Sequence, residues 1–187
     1  MKTLSSFFLP LSLFLSLFFL TFHDSTSQNL IQNTCKSCSK DDPNINYDFC
    51  TSSLQADPAS QYATLRGLGK ISIRLIRYNA TDTMSQVKIL LMDNNLDPYV
   101  RECLRDCLEL YSDAITSTKL ATKSYATKKY YDANVQISSI IDAATTCEDG
   151  FKEKNDTASP LTERNEITFQ LSAIALSIMN LIKNNSG

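Results

Sequence analysis

From residue 97 onward the chain repeats apolar side chains at alternating spacings of three and four, the signature of a helix with one buried face. Asp97-Pro98 places a capping residue before proline at the first helical position. Val100, Leu104, Cys107, Tyr111, Ala114, Thr118, Ala121 and Tyr125 then hold the pattern without a break. A second run follows at Tyr130, Ala133, Ile137, Ile140, Ala144, Cys147 and Phe151, and a third at Ile167, Leu171, Ile174, Ile178 and Leu181. Asp57-Pro58 repeats the capping device and opens a segment to about Asn95. This first segment is less regular, with Leu65, Leu68, Ser72, Leu75, Val87, Leu90 and Leu91, and its polar middle, Asn79 to Thr83, is expected to kink or break it.

Four amphipathic segments joined near Asn95-Leu96, near Ala126-Thr127 and over Asn155 to Pro160 pack most simply as an antiparallel up-down-up-down bundle over residues 57–187. The first two connections are too short for parallel neighbours. Gly67-Leu68-Gly69 is preceded by no strand, so it reads as a flat patch for close packing rather than a phosphate loop.

The first 27 residues stand apart. Met1-Lys2 is followed by an apolar run from Phe7 to Leu20, interrupted by Pro10, and then by Ser25-x-Ser27. That is the three-part layout of a secretory signal peptide, and the run is short of the roughly 20 residues a membrane span needs. Residues 1–27 are therefore read as a leader, with the mature chain starting near Gln28 and no membrane segment after it. The single histidine, His23, falls inside that leader, so Ser-His and Cys-His catalysis and imidazole metal sites are not expected. Any pH switch between 5 and 7 would then come from carboxylates or from a partner.

Secretion changes the meaning of the six cysteines, Cys35, Cys38, Cys50, Cys103, Cys107 and Cys147. An even count in an oxidising compartment favours disulfides over zinc or redox use, with fifteen pairings open. Cys107 and Cys147 take core-facing positions on consecutive antiparallel helices and can meet; that bridge would contribute about 4 kcal/mol on the chain-entropy account. Cys35 and Cys50 bracket a polar stretch turning at Asp41-Asp42-Pro43-Asn44, and closing it would contribute about 3 kcal/mol. The staple would make a compact hairpin of residues 28–56, too poor in apolar surface to fold alone. A third bridge, Cys38 to Cys103, would tie that hairpin to the bundle.

Over 187 residues the net charge is −2, with 18 Lys+Arg against 20 Asp+Glu, which argues against nucleic acid as a partner. Four glycines are too few for a dinucleotide or phosphate fingerprint, and no cofactor or metal is called for. Carboxylates such as Glu102, Asp106 and Glu109, or Glu148 and Asp149, sit at the spacing of a solvated helix face beside Lys and Arg. No catalytic residue is assigned. Asn79, Asn155 and Asn184 head glycosylation sequons, each expected at a helix end or loop.

Five stretches carry a resemblance: Leu30-Ile31-x-x-Thr34-Cys35; Tyr47-Asp48-Phe49-Cys50-x-x-Ser53-Leu54-Gln55-Ala56-Asp57-Pro58; Leu65-Arg66-Gly67-Leu68-Gly69; Asp106-Cys107-x-x-x-Tyr111-Ser112-Asp113-Ala114; and Thr146-Cys147-Glu148-Asp149-Gly150-Phe151. Together they resemble the plant invertase and pectin methylesterase inhibitor family and, within it, its plane-pollen allergen group. The resemblance implies an all-α fold in which a disulfide-stapled α-helical hairpin precedes the four-helix bundle. It implies bridges Cys35–Cys50 and Cys107–Cys147, and is silent on Cys38 and Cys103. It also implies a secreted monomer of the apoplast or vacuole that forms stoichiometric, non-covalent complexes with acid invertase or pectin methylesterase. Invertase inhibitors of the family can carry Pro-Lys-Phe between the second and third bundle helices. Here Ala121 to Tyr130 lacks that tripeptide but offers Lys123, Lys128 and Lys129, whose ammonium groups suit the paired carboxylates of a glycosidase. An enzyme, or a bundle without inhibitory activity, are the competing readings.

Overall fold

The computed structural model describes residues 28–154 and 157–184. The leader with His23, and the Asn155 sequon, lie outside them. Helix α1 covers 28–41 and turns through Asp42 to Asn46 into α2, Tyr47–Gln55. A 3-10 turn, Pro58–Tyr62, leads to α3 (Leu65–Leu90), α4 (Pro98–Ala126), α5 (Tyr130–Lys152) and α6 (Thr162–Asn184). No strand occurs among the described residues.

Each boundary has a local cause. Asn46, Asp57, Thr64 and Asp97 hold extended or non-helical backbone while their side chains accept from the first free N–H groups of the following turn. Asn46 and Thr64 are caps the sequence pattern missed. Pro58 opens only a five-residue turn, the chain straightens at Ala63, and the first long helix begins at Leu65. Its polar middle does not break it: Ile76, Ala80, Thr83 and Val87 carry the buried stripe through one continuous helix.

Helix order reads directly from cross-helix pairs. Arg66 meets Ala126 and Arg101 meets Leu91; Ser117 meets Ser139 and Tyr99 meets Gly150. Asn79 faces Thr168, and Arg164 pairs with Asp82. In each helix pair one number rises as the other falls, so neighbours are antiparallel, and α6 returns to α3 to close the square.

Two apolar clusters fill the bundle. One gathers Leu68, Ile73 and Ile76 with Ala121, Tyr125, Ile137, Ile140, Ile174 and Ile178, and extends to Ile31, Cys35, Cys50 and Leu54 of the hairpin. The other gathers Val87, Leu104, Cys107, Cys147, Phe151 and Leu161. A polar belt runs where they meet. Asn79 Nδ2 donates to Thr168 Oγ1 (2.6 Å), Tyr111 Oη donates to Asn165 Oδ1 (2.7 Å), and Asn165 Nδ2 donates to Glu148 Oε2 (2.8 Å).

Disulfides join Cys35 to Cys50 and Cys107 to Cys147. The third bridge is not formed. Cys38 and Cys103 are both free and buried, and they belong to different clusters: Cys38 sits in the hairpin's core, and Cys103 lies 3.5 Å from the Gly150 carbonyl oxygen.

Candidate functional site

Of the three lysines singled out in the sequence, only Lys128 and Lys129 belong to the connection between α4 and α5. Helix α4 runs on to Ala126, so Lys123 stands in its last turn; all three are exposed. The end of α4 closes in a two-bond cap. Lys129 N donates to Ser124 O (2.9 Å) and Lys128 N to Tyr125 O (3.1 Å), with Lys128 in left-handed backbone at φ 60°. Glycine is the usual residue there, because a Cβ crowds the following carbonyl. Lys129 then precedes α5 without a side-chain cap.

The base of this tip is fixed. Tyr125 is buried, stacks edge-on with Tyr130 (centroids 5.5 Å apart) and donates its hydroxyl to Arg66 O (2.9 Å). Arg66 in turn donates from Nη2 to Ala126 O (2.9 Å), bonding the start of α3 to the end of α4. A cleft of about 320 Å³ lies between those helices, lined by Thr64, Arg66, Gly67, Lys70, Thr122 and Tyr125 among others.

Five cations therefore surround one end of the bundle: Arg66, Lys70, Lys123, Lys128 and Lys129. None forms an ion pair among the described residues. Several cations elsewhere are engaged, whereas Lys36, Lys40, Arg77, Lys88, Lys119 and Lys183 stand without an ion pair among the described residues but singly along the chain. Arg74 pairs with Asp57, Arg164 with Asp82, Lys152 with Asp149 (3.0 Å) and Lys154 with Asp97 (3.9 Å). An unpaired cationic cluster on a rigid end is a device for meeting an anionic surface.

A groove of about 520 Å³ runs between α5 and α6, with Glu148, Asp149, Glu166, Phe169 and Gln170 among its walls. Its carboxylates are already occupied. Glu148 accepts from Thr162 and Asn165, Asp149 pairs with Lys152, and Glu166 accepts from Gln170 Nε2. Among the described residues no three His, Cys, Asp or Glu side chains are grouped to hold a metal, and no helix is long and apolar enough to cross a membrane.

The sequons divide. Asn184 is exposed at the end of α6. Asn79, expected at a helix end, lies mid-helix instead, half-buried, and its amide donates to Thr168 Oγ1 and Arg164 O (3.3 Å). The nitrogen that would carry a glycan is committed to α6.

Comparison with known proteins places the chain. Residues 29–178 match the family described as "Plant invertase/pectin methylesterase inhibitor". A protein of Platanus orientalis named "Putative invertase inhibitor" is 41% identical over 93% of this chain and 99% of its own. "Pectinesterase inhibitor 12" of Arabidopsis thaliana is 35% identical over 84% of this chain and 90% of its own. Among solved structures, a mutant form of a pectin methylesterase inhibitor from Arabidopsis superposes with a TM-score of 0.65 at 27% identity, covering 73% of this chain and 90% of that one.

Proposed function

Since the chain belongs to the plant invertase/pectin methylesterase inhibitor family, whose members are inhibitors and not enzymes, we propose that it blocks an acid invertase. It does so by inserting the α4–α5 tip into the substrate cleft. The complex is stoichiometric and non-covalent, and it forms in the extracellular wall space after removal of the leader. The observation that carries this reading is the unpaired cluster of Arg66, Lys70, Lys123, Lys128 and Lys129 around a tip fixed by Tyr125. A glycosidase cleft carries two carboxylates flanking the scissile bond. Ammonium groups held on a pre-ordered loop meet those carboxylates at little entropic cost. The Platanus relatives, at 41% and 42% identity, support the same target by name.

A second reading, inhibition of a pectin methylesterase, is favoured by the name of the 35% identical Arabidopsis relative and by the titles of the similar solved structures. One experiment separates them. The mature chain, residues 28–187, oxidatively refolded, is titrated in parallel against a plant acid invertase and a plant pectin methylesterase at mildly acidic pH. Loss of invertase activity alone, with an equivalence point near one to one, supports the first reading; loss of esterase activity alone replaces it with the second. Retention of both activities by a fully helical protein overturns both.

A further inference from the structure

The tip is flanked by apolar side chains that the fold itself does not use. Leu120 on α4 and Tyr131 and Val135 on α5 are 48%, 77% and 47% exposed. Ser117 and Ser139, whose hydroxyls lie 3.2 Å apart, mark where the outer edges of α4 and α5 meet. Leu120 stands one turn from Ser117 toward the tip, and Val135 one turn from Ser139 in the same direction. Tyr131 follows a further turn on, three residues from Lys128. These three residues therefore form an outward-facing strip along the α4–α5 pair, continuous with the cationic tip. Of the other large exposed apolar residues, Ile89 and Met92 stand at the far end of the bundle and Tyr47 and Tyr78 on the hairpin side, while Tyr62 ends the 3-10 turn just before α3.

We propose that Leu120, Tyr131 and Val135 are the apolar anchor of the target complex, seated on the aromatic sugar-binding rim of an acidic glycosidase cleft while the lysines address its carboxylates. The inference rests on the invertase reading above and adds the surface that supplies affinity. Charge complementarity identifies the occupant: Lys123, Lys128 and Lys129, none of them ion-paired within the described residues, border the strip on its tip side. Exposed lysines alone give mainly steering and on-rate, whereas buried aromatic and aliphatic anchors slow dissociation. The strip is also rigid. Cys107–Cys147 crosslinks its two helices, and Tyr125 and Tyr130 brace the turn between them. Docking it orders little that is not already ordered.

The test uses the full mature chain and an acid invertase. Leu120→Ala/Tyr131→Ala is compared with wild type and with Ile89→Ala/Met92→Ala at the opposite end, after helical content and thermal midpoint have been matched. The strip variant is expected to raise the concentration for half-inhibition by about tenfold or more, with faster dissociation, and the control pair to leave it unchanged. Because the contact is apolar, that ratio should persist at high ionic strength, while the absolute affinities of both proteins fall. A strip variant within about twofold of wild type, or a deficit that vanishes in high salt, overturns the anchor and leaves the invertase reading standing. A wild type that does not inhibit invertase overturns the reading itself, and the anchor with it.

Discussion

Tyr125 occupies the space that a side chain on Gly69 would need. A Cβ built on Gly69 would lie 2.2 Å from the Tyr125 hydroxyl oxygen, 2.9 Å from its Cζ and 3.2 Å from Ile178 Cγ2. The glycine is thus the socket for the aromatic ring that fixes the base of the tip. Gly69→Ala would gain helix propensity but force Tyr125 off its bond to Arg66, and a net loss of about 1–3 kcal/mol is expected. Gly150, within α5, has nothing within 4 Å of its would-be Cβ. Gly150→Ala should stabilise by about 0.5–1 kcal/mol. Thermal or denaturant unfolding of the two variants should give opposite signs.

Lys128 supplies a different trade. Its left-handed backbone favours glycine, so Lys128→Gly is expected to stabilise the fold by roughly 0.5–1 kcal/mol. The same change removes one of the tip cations. A higher unfolding midpoint together with weaker invertase inhibition is the expected pairing; equal inhibition would remove Lys128 from the contact.

Alkaline pH should unfold the protein through its buried phenols. Burial pushes the Tyr111 hydroxyl up from 10.0 to about 12, against a smaller downward contribution from its hydrogen bond with Thr168. Burial also raises Tyr125. A folded pKa above the unfolded one means that this contribution is intact below pH 10 and is lost as pH rises toward 12. For Tyr111 the two-unit gap corresponds to about 3 kcal/mol. Of the eight tyrosines, Tyr111 and Tyr125 should ionise only together with loss of helical circular dichroism, as ultraviolet tyrosinate absorbance would record.

Cys38 and Cys103 should be silent in the native protein. Burial raises both thiols above their ordinary value, and neither reaches solvent freely. A thiol reagent should titrate none under native conditions and two in denaturant without reductant. Finding none in denaturant would restore the third bridge.

Asn79 should remain unglycosylated in a host that modifies the other sequons. A glycan on its Nδ2 would displace the bond to Thr168 and open the seam between α3 and α6. Peptide mass mapping of the secreted protein decides this, with Asn184 as the accessible counterpart.

Much of the architecture was legible in the residue order. Seven of the eight stripe positions assigned to α4 are buried, Val100 alone being half-covered, and in α5 the pattern fails only at Tyr130, also half-covered. Those helices pack on one side, and a period of three and four records a single buried face. Helix α6 escaped that logic. Ile167 and Leu181 of its expected stripe are only half-covered, Thr168 is buried toward Asn79 and Tyr111, and Gln170 is buried because the hairpin covers another side of the helix. Asn46 N donates to Gln170 Oε1 (3.0 Å) and Gln170 Nε2 to Asn44 O (2.6 Å), contacts that span more than 120 residues and leave no local trace. The tip was legible as a lysine-rich stretch but not as a cluster. Arg66 and Lys70 join it only because α3 runs antiparallel to α4. The outer apolar strip left no signal either, since Leu120 and Val135 look like ordinary helix residues until their neighbours are known.

The polar belt around Asn165 has a mechanical consequence. A helix with apolar neighbours on every side can slip along its axis by one turn, about 5.4 Å, and find similar packing again. Helix α6 cannot, because such a slip would strand the buried Asn165 and Thr168, and Tyr111 opposite them, without partners in a dry interior. The belt works as a keyway that holds α6 at one axial position. Since Gln170 fastens the hairpin to that same helix, the reach from the hairpin to the cationic tip depends on belt hydrogen bonds remote from the tip.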